Sequence, residues 1–220
     1  MPRRRTFRRK PTKRKRTRKG GVRLGSNVIY PGIACEGKDP NTYATKLFFK
    51  GSESHLYYDE AKMRKVSEIL KKIDPDQQYF LYPDFCDTKQ GPLTKQNEED
   101  IKGPREAYEE GTYDTQVIDL NKYDSYNMRN GKQTFADKWK AADKKQIHSY
   151  LKDATHLVEG LQKLHSAGIL HDDMHAGNIV YTENGPPKFI DFDDCSVKKV
   201  TDEESKKEIR LLVGIIKRYL

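Results

Sequence analysis

The sequence has few cysteines and no long aliphatic run, and each shortage excludes a class of protein. The three cysteines, Cys35, Cys86 and Cys195, are far apart and form no CxxC pair. This spacing argues against a zinc site or a disulfide framework, and it suits a reducing compartment. The longest aliphatic runs are far too short to span a bilayer, so we expect no membrane segment.

Apolar residues are also scarce, at 35% of the 220 residues, whereas charged residues make up 34%. A core can still form, because the apolar residues cluster in the middle and C-terminal parts of the chain. The length fits one domain, or two small lobes that share a cleft.

Acidic residues are absent from residues 1–20, which hold 12 Lys and Arg. The other 200 residues hold 30 basic and 33 acidic side chains, so the body is mildly acidic although the whole chain carries +9. This tail has no apolar h-region and is therefore not a signal peptide; its charge predicts disorder. Three interpretations stay open: an import signal read by a receptor, nucleic-acid binding through phosphate neutralisation, and a solvated arm.

The first half of the chain predicts strands around a single helix. Residues 57–73 place apolar side chains on one helical face, and an Asp-Pro pair ends that helix. Residues 87–114 are polar and contain glycine and proline, which favours a long loop. Alternating or aromatic runs predict strands, and these lie at residues 27–30, 42–50, 79–85 and 115–120.

The second half predicts a long helix, a hairpin and a last helix. Apolar residues recur at helical spacing over residues 144–168, and Gly168 is placed to end the helix. Short strands follow at "GIL", "NIVY" and "KFID", and an Asn-Gly pair favours a tight turn between the last two. Residues 202–220 form the last helix behind a capping box, Thr201 to Glu204. This order indicates an α+β fold with two lobes.

Oxygen-bearing side chains are concentrated around the predicted hairpin. Asp173 follows the strand "GIL", Asn178 begins the next strand, and Asp191 ends the strand paired to it. Both ends of a hairpin lie together, so the three side chains can converge. Two carboxylates and an amide suit Mg²⁺, which prefers oxygen ligands and takes the rest of its shell from water and substrate phosphates. Asp173 is then placed to orient an incoming hydroxyl.

The run "HDDMHAGN", followed after twelve residues by "DFD", resembles the HxDxxxxN…DFG signature of the protein kinase-like fold. The resemblance implies that Asp173 orients the acceptor hydroxyl while Asn178 and Asp191 hold Mg²⁺ beside ATP. Lys46 in "YATK" resembles the strand lysine that holds the nucleotide's α- and β-phosphates, and Glu60 resembles the helix glutamate that pairs with it.

The resemblance also places the nucleotide-binding elements. Gly21, Gly25 and Val28 stand where the glycine loop is expected, although the loop is poor in glycine. The run "TQVIDLNKY" falls at the hinge, so Asp119 and Leu120 would contact adenine through their backbone groups. The chain then divides into a basic tail at 1–20, a small β-rich, nucleotide-binding N-lobe at 21–123 and a truncated, helical C-lobe at 124–220.

More narrowly, "NVIYPGIAC", "YATKLF" and "KKIDPDQQYF" resemble the serine/threonine kinase-like proteins of large nucleocytoplasmic DNA viruses. That resemblance implies an ATP- and Mg²⁺-dependent transferase that acts on a protein serine or threonine. It also implies an intracellular location, in the host cytoplasm, the nucleus or the virion.

Several positions depart from the protein kinase pattern. Asp172 replaces the usual arginine, Asp193 replaces the glycine of DFG, and His175 stands where a lysine is common. No APE motif is present, and only 26 residues follow Asp194, which resembles the minimal C-lobe of RIO-type kinases. Two alternatives stay open: a small-molecule kinase of the aminoglycoside or choline type, and a pseudokinase that binds nucleic acid or a virion partner through its basic tail. We expect His171 to brace the catalytic loop.

Overall fold

The structure, a computed structural model, describes residues 23–24, 27–31, 38, 42–49, 59–85, 123–141, 144–183 and 185–219. Several predictions lie outside the described residues: the basic tail at 1–20, Gly21, Gly25, the loop at 87–114, the strand at 115–120, Asp119 and Leu120. Val28 is described by its backbone alone.

A four-stranded antiparallel sheet forms the first part of the fold, in the order β1-β2-β3-β4. Its strands are β1 (Arg23–Leu24), β2 (Asn27–Pro31), β3 (Tyr43–Phe49) and β4 (Tyr123–Arg129). Lys46 lies at the centre of β3, opposite Ile29 of β2 and Tyr126 of β4. The predicted strands at 27–30 and 42–50 are confirmed.

Helix α1 (Glu60–Ile73) lies between β3 and β4 in the chain. The Asp59 side chain caps it by accepting a hydrogen bond from the Lys62 N–H at 2.9 Å, so the helix begins three residues later than predicted. Its buried face presents Met63, Val66, Ser67 and Leu70. The helix ends at Ile73, before the predicted Asp74-Pro75 stop.

The aromatic run at 79–85 is not the regular strand that its composition predicts. It contributes two isolated bridges, Phe80 to Phe189 and Asp84 to Asn127. The carboxylate of Asp74 explains the difference, because it accepts the backbone N–H groups of residues 78, 79 and 80 at 2.7 to 2.9 Å. A side chain thus takes donors that a sheet ladder would use.

The second part of the fold surrounds the predicted hairpin. Strand β5 (Gln133–Thr134), β7 (Ile179–Tyr181) and β8 (Lys188–Phe189) form a three-stranded sheet, in which β7 and β8 pair antiparallel as predicted. Strands β6 (Ile169–Leu170) and β9 (Ser196–Val197) pair separately. A 3₁₀ turn (Ala176–Asn178) precedes β7.

Three helices support these strands. Helix α2 (Phe135–Lys140) has no counterpart among the predicted elements, whereas α3 (Lys144–Ser166) and α4 (Asp202–Lys217) match the predicted helices. Gly168, with φ +77°, lies two residues after the end of α3, where left-handed backbone ends the helix as predicted. The predicted capping box of α4 is present: Thr201 and Glu204 bond to each other's backbone N–H groups.

The core of the described residues is one contiguous apolar cluster. It joins Phe48, Met63 and Tyr126 from the first part to side chains such as Leu161 and Phe192 from the second. The mixture of helices and small antiparallel sheets confirms the α+β class; the two-lobe arrangement stays a prediction. None of the described helices has the length and apolar character needed to cross a bilayer.

Candidate active site

The strand lysine and the hairpin aspartate meet in the structure. Lys46 is 3% exposed, and its Nζ lies 2.7 Å from Asp191 Oδ1. The same ammonium donates to the carboxylate of Asp193. Tyr126, opposite Lys46 on β4, donates its hydroxyl to Asp193 Oδ1 at 2.7 Å. Residues 145 positions apart in the sequence therefore form one partly buried charged cluster.

The cluster's charges decide its protonation. Burial alone would lower the pKa of Lys46, but the Asp193 and Asp191 carboxylates reverse that effect and the pKa lies above its usual value. Burial raises the pKa of Asp193, and Lys46 offsets only part of this effect while Asp191 adds to it. The two carboxylates thus share the ammonium of Lys46.

Glu60 does not pair with Lys46. It lies in the first turn of α1, where its carboxylate accepts a hydrogen bond from Arg64 Nε at 2.7 Å and is 46% exposed. The Lys46 ammonium donates instead to Asp193, which stands where the DFG signature has its glycine. Helix α1 reaches the cluster through Lys62, whose Nζ donates to the Asp193 carbonyl oxygen at 2.6 Å. The predicted lysine–glutamate pair is therefore replaced here by a lysine–aspartate pair.

Asn178 fixes the position of Asp173. Its Nδ2 donates to the Asp173 carbonyl oxygen at 2.9 Å and to Asp173 Oδ2 at 2.8 Å. Both partners are acceptors, so the orientation of the amide is determined. The Asn178 Oδ1 atom is then left buried and without a hydrogen-bond partner among the described residues.

That orphaned amide oxygen fits the predicted Mg²⁺. A buried acceptor without a partner is costly, and a cation that prefers oxygen would satisfy it. The described residues contain no group of three or more His, Cys, Asp or Glu side chains arranged for a metal. Asn178 and Asp191 would therefore supply the protein ligands, with water or phosphate completing the shell, as is usual for Mg²⁺.

Backbone strain is concentrated beside these residues. Among the described non-glycine residues, positive φ occurs at Gln77, at Asp172 (φ 60°) and at Asp191 (φ 63°). Two of these three flank or form the site. Left-handed backbone is uncommon outside glycine and collects at functional sites. Asp191 has this left-handed backbone, and its side chain contacts Lys46.

His171 is buried behind the loop that carries Asp173. Its Nε2 donates to the Ile190 carbonyl oxygen at 2.9 Å, next to Asp191. Burial lowers the pKa of His171, so the ring is neutral. These contacts agree with the expected bracing role, because the ring joins the loop to the strand end.

Glu208 of α4 also holds this loop, and the sequence interpretation missed it. Its Oε1 accepts the Asp172 N–H at 2.7 Å, and its Oε2 lies 2.7 Å from His165 Nε2. Burial alone would raise the pKa of Glu208, but hydrogen bonds from His165 and from the backbone of Asp172 and His171 leave it below its usual value. An acid four residues before the buried Leu212, on the apolar face, was the available signal.

His175 lies beside Asp173 at the surface. Its Nε2 is 3.4 Å from Asp173 Oδ2, and its Nδ1 accepts the Gly177 N–H at 3.0 Å. Both side chains are well exposed, at 49% for His175 and 42% for Asp173. The Asp173 carboxylate, which is predicted to orient the acceptor hydroxyl, is thus accessible to an acceptor.

Comparison with known proteins gives a weak relationship to kinases. No protein-family model matches the chain. It is 24% identical over 194 residues to the "Probable serine/threonine-protein kinase RTK1" of Saccharomyces cerevisiae. This match covers 88% of this chain and 27% of that protein. A 42-residue match to "Serine/threonine-protein kinase Tao" of Drosophila melanogaster is 45% identical, over 19% of this chain and 4% of that protein.

A 46-residue match to "Serine/threonine-protein kinase STK11" of Rattus norvegicus is 44% identical, over 21% of this chain and 10% of that protein. The chain thus spans 27% or less of the length of these three relatives. Together the matches support a protein kinase-like relationship.

Proposed function

We propose that the chain is an ATP- and Mg²⁺-dependent phosphotransferase whose acceptor is a serine or threonine hydroxyl of a protein. The observation that carries the proposal is the 2.7 Å contact between Lys46 and Asp191, which brings the proposed phosphate-binding lysine beside the proposed Mg²⁺ ligand. The similarity to serine/threonine kinases supports the choice of acceptor.

Each site residue has a part in this proposal. Lys46 binds the α- and β-phosphates; an ammonium has three donors, and the two carboxylates leave one for phosphate. Asn178 and Asp191 hold Mg²⁺, which supplies neutralisation of the phosphate charge when bound. Asp173 orients the acceptor hydroxyl. Gly21, Gly25 and Val28 cover the phosphates, and the backbone of Asp119 and Leu120 contacts adenine.

Phosphotransfer from labelled ATP tests the proposal. We expect the full chain to label a pool of proteins, Asp173→Asn to abolish labelling while nucleotide binding persists, and Asp191→Ala to lose the Mg²⁺-dependent part of binding. Binding is measured by thermal shift, because a ligand that binds only the folded state raises the melting temperature. Full labelling by Asp173→Asn contradicts the proposal.

A small-molecule kinase is the second candidate. His175 beside Asp173 and the acidic "IDFDD" ending favour it, since aminoglycoside and choline kinases resemble this chain there. Label that appears on metabolites and never on protein would decide for it. A melting shift with ATP but no transfer to any acceptor would identify a pseudokinase.

We also propose that the basic tail, residues 1–20, contacts a polyanion or an import receptor. The 12 basic side chains without an acid support this proposal. The resemblance to viral kinase-like proteins supports a viral origin and a place in the host cytoplasm, the nucleus or the virion. Deletion of residues 1–20 should remove salt-sensitive DNA binding or nuclear import and leave phosphotransfer intact.

A further inference from the structure

A cavity of about 210 Å³ lies between the loop that carries Asp173 and helix α4. The loop contributes Met174 and His175, and the helix contributes Gly214 and the apolar Leu211, which is 49% exposed. The cavity opens beside the candidate active site.

Two arginines are among the residues that line this cavity. Its charged lining side chains are Arg210 and Arg218, and His175 adds a titratable ring; none of its lining residues is an acid. Within the described part of the chain, neither arginine forms an ion pair with a carboxylate. The C-terminal end of α4 carries a partial negative charge of about half a unit, which two guanidinium groups exceed.

The cavity is directly connected to the proposed chemistry. His175 lines it and also lies 3.4 Å from Asp173 Oδ2. A group bound in the cavity is therefore a neighbour of the hydroxyl that Asp173 would orient. The volume is below the roughly 300–1,000 Å³ of sites that enclose whole small ligands. It suits one side chain of a larger acceptor.

We propose that this cavity binds an acidic side chain of the protein acceptor, an aspartate or glutamate close to the phosphorylated serine or threonine. The proposal rests on the proposed function. Guanidinium groups match carboxylates in charge and geometry, and the apolar lining packs against the methylene groups of the same side chain. The chain would thus prefer hydroxyls in acidic surroundings.

Matched peptides test this preference on the full chain. One peptide carries serine flanked by glutamates, a second replaces them with glutamines, and a third with lysines. We expect kcat/KM to be highest for the glutamate peptide. The double variant Arg210→Gln/Arg218→Gln should lower kcat/KM for that peptide by roughly ten- to hundredfold, the loss of one or two charge-assisted hydrogen bonds, and leave the glutamine peptide within about twofold.

Gly214 offers a matched pair of variants. Gly214 lines the cavity, and an added Cβ at this position meets no atom within 4 Å, so the backbone has room for a side chain here. Gly214→Glu supplies the arginines with an internal carboxylate and should abolish the preference for the glutamate peptide. Gly214→Gln introduces a side chain of the same size as glutamate but without charge, and should retain more of the preference for the glutamate peptide.

A direct binding measurement separates the two proposals. Fluorescence anisotropy of the labelled glutamate peptide needs no catalysis, and we expect salt-sensitive binding that Arg210→Gln/Arg218→Gln removes and Asp173→Asn does not. Equal binding and equal use of all three peptides would overturn the acidic-acceptor proposal while leaving the phosphotransferase intact. Peptide binding without transfer would instead contradict the proposed function alone.

Discussion

Glu208 of helix α4 accepts the backbone N–H of Asp172 at 2.7 Å, and so connects the last helix to the residue next to Asp173. The same carboxylate bonds to His165 on α3 at 2.7 Å. One buried acid thus joins two helices and the loop, which explains how a small helical part can hold that loop in place.

Replacement of Glu208 should destabilise the fold. Glu208→Ala leaves His165 and the backbone N–H of Asp172 without their acceptor, and we expect a loss of about 3–5 kcal/mol in the free energy of unfolding. Glu208→Gln keeps the size and one acceptor oxygen, so its loss should be about 1–3 kcal/mol. Urea unfolding near neutral pH measures both. Equal stabilities of the two variants and the parent chain would contradict the anchoring role.

The pH dependence of this effect has a definite sign. The pKa of Glu208 is lower in the folded chain than in the unfolded chain. Its contribution to stability is therefore complete above the unfolded-state pKa of about 4.3 and is lost as the pH falls through the lowered folded-state pKa. Glutamine does not titrate, so the stability gap between the parent and Glu208→Gln should narrow on acidification. A gap that widens would be inconsistent with the lowered pKa.

Asp191 and Asp193 should differ in their importance for phosphotransfer, although both contact Lys46. Asp191 is the proposed Mg²⁺ ligand, whereas the described contacts of Asp193 are to protein groups: Lys46, Tyr126 and, through its carbonyl, Lys62. We expect Asp191→Asn to abolish transfer. Asp193→Asn should retain it within about tenfold and lower stability by roughly 1–3 kcal/mol.

Parallel activity and melting measurements on the two variants check this difference. The substitutions are chemically identical and two positions apart, so each serves as the control for the other. Loss of transfer in Asp193→Asn with a normal nucleotide-induced melting shift would instead assign Asp193 to the chemistry.

Cys195 should be inert in the folded chain. It is 2% exposed, and burial raises its pKa to about 12, so almost no thiolate forms near neutral pH. In a Cys35→Ser/Cys86→Ser chain, we expect slow reaction with a disulfide reagent under native conditions and fast reaction in denaturant. Fast native labelling would show that the β9 region opens readily.

Local signals predicted the elements, and tertiary contacts explain what they missed. The long periodic run of α3, the antiparallel pairing of β7 with β8 and the capping box of α4 are each encoded by residues that lie close together in the sequence. The predicted tight turn at the Asn-Gly pair stays a prediction, because Asn184 lies outside the described residues. The six-residue helix α2 is too short for a clear period. The run at 79–85 does not form the expected regular strand, and the Asp74 side chain takes the N–H groups of residues 78, 79 and 80 at its start.

The candidate site divides in the same way. Motif order indicated that Lys46, Asp173, Asn178 and Asp191 belong together, although it could not show their contacts. The partner of Lys46 depends on which acid reaches a buried ammonium, and Asp193 does so while Glu60 turns to Arg64. Such competition between side chains is settled by packing, which a single sequence does not display.

The same substitution should have opposite effects at Gly168 and Gly214. Gly168 has φ +77°, and a Cβ there would lie 3.0 Å from the Lys198 carbonyl oxygen. Left-handed backbone costs an alanine about 1–2 kcal/mol, so Gly168→Ala should lower the free energy of unfolding by at least that amount. It should also loosen the β6–β9 pairing, because Lys198 N–H donates to the Gly168 carbonyl oxygen at 2.9 Å.

Gly214 lies within helix α4, where an added Cβ has open space. Alanine is favoured over glycine in helices by up to about 1 kcal/mol, so Gly214→Ala should raise the melting temperature. Denaturant unfolding of both variants beside the parent chain measures the contrast. Because each change adds one methyl group, hydrophobicity cannot produce opposite signs; only the backbone conformation and the space around each glycine can. Two shifts of the same sign would therefore show that one of these glycines has a different local environment.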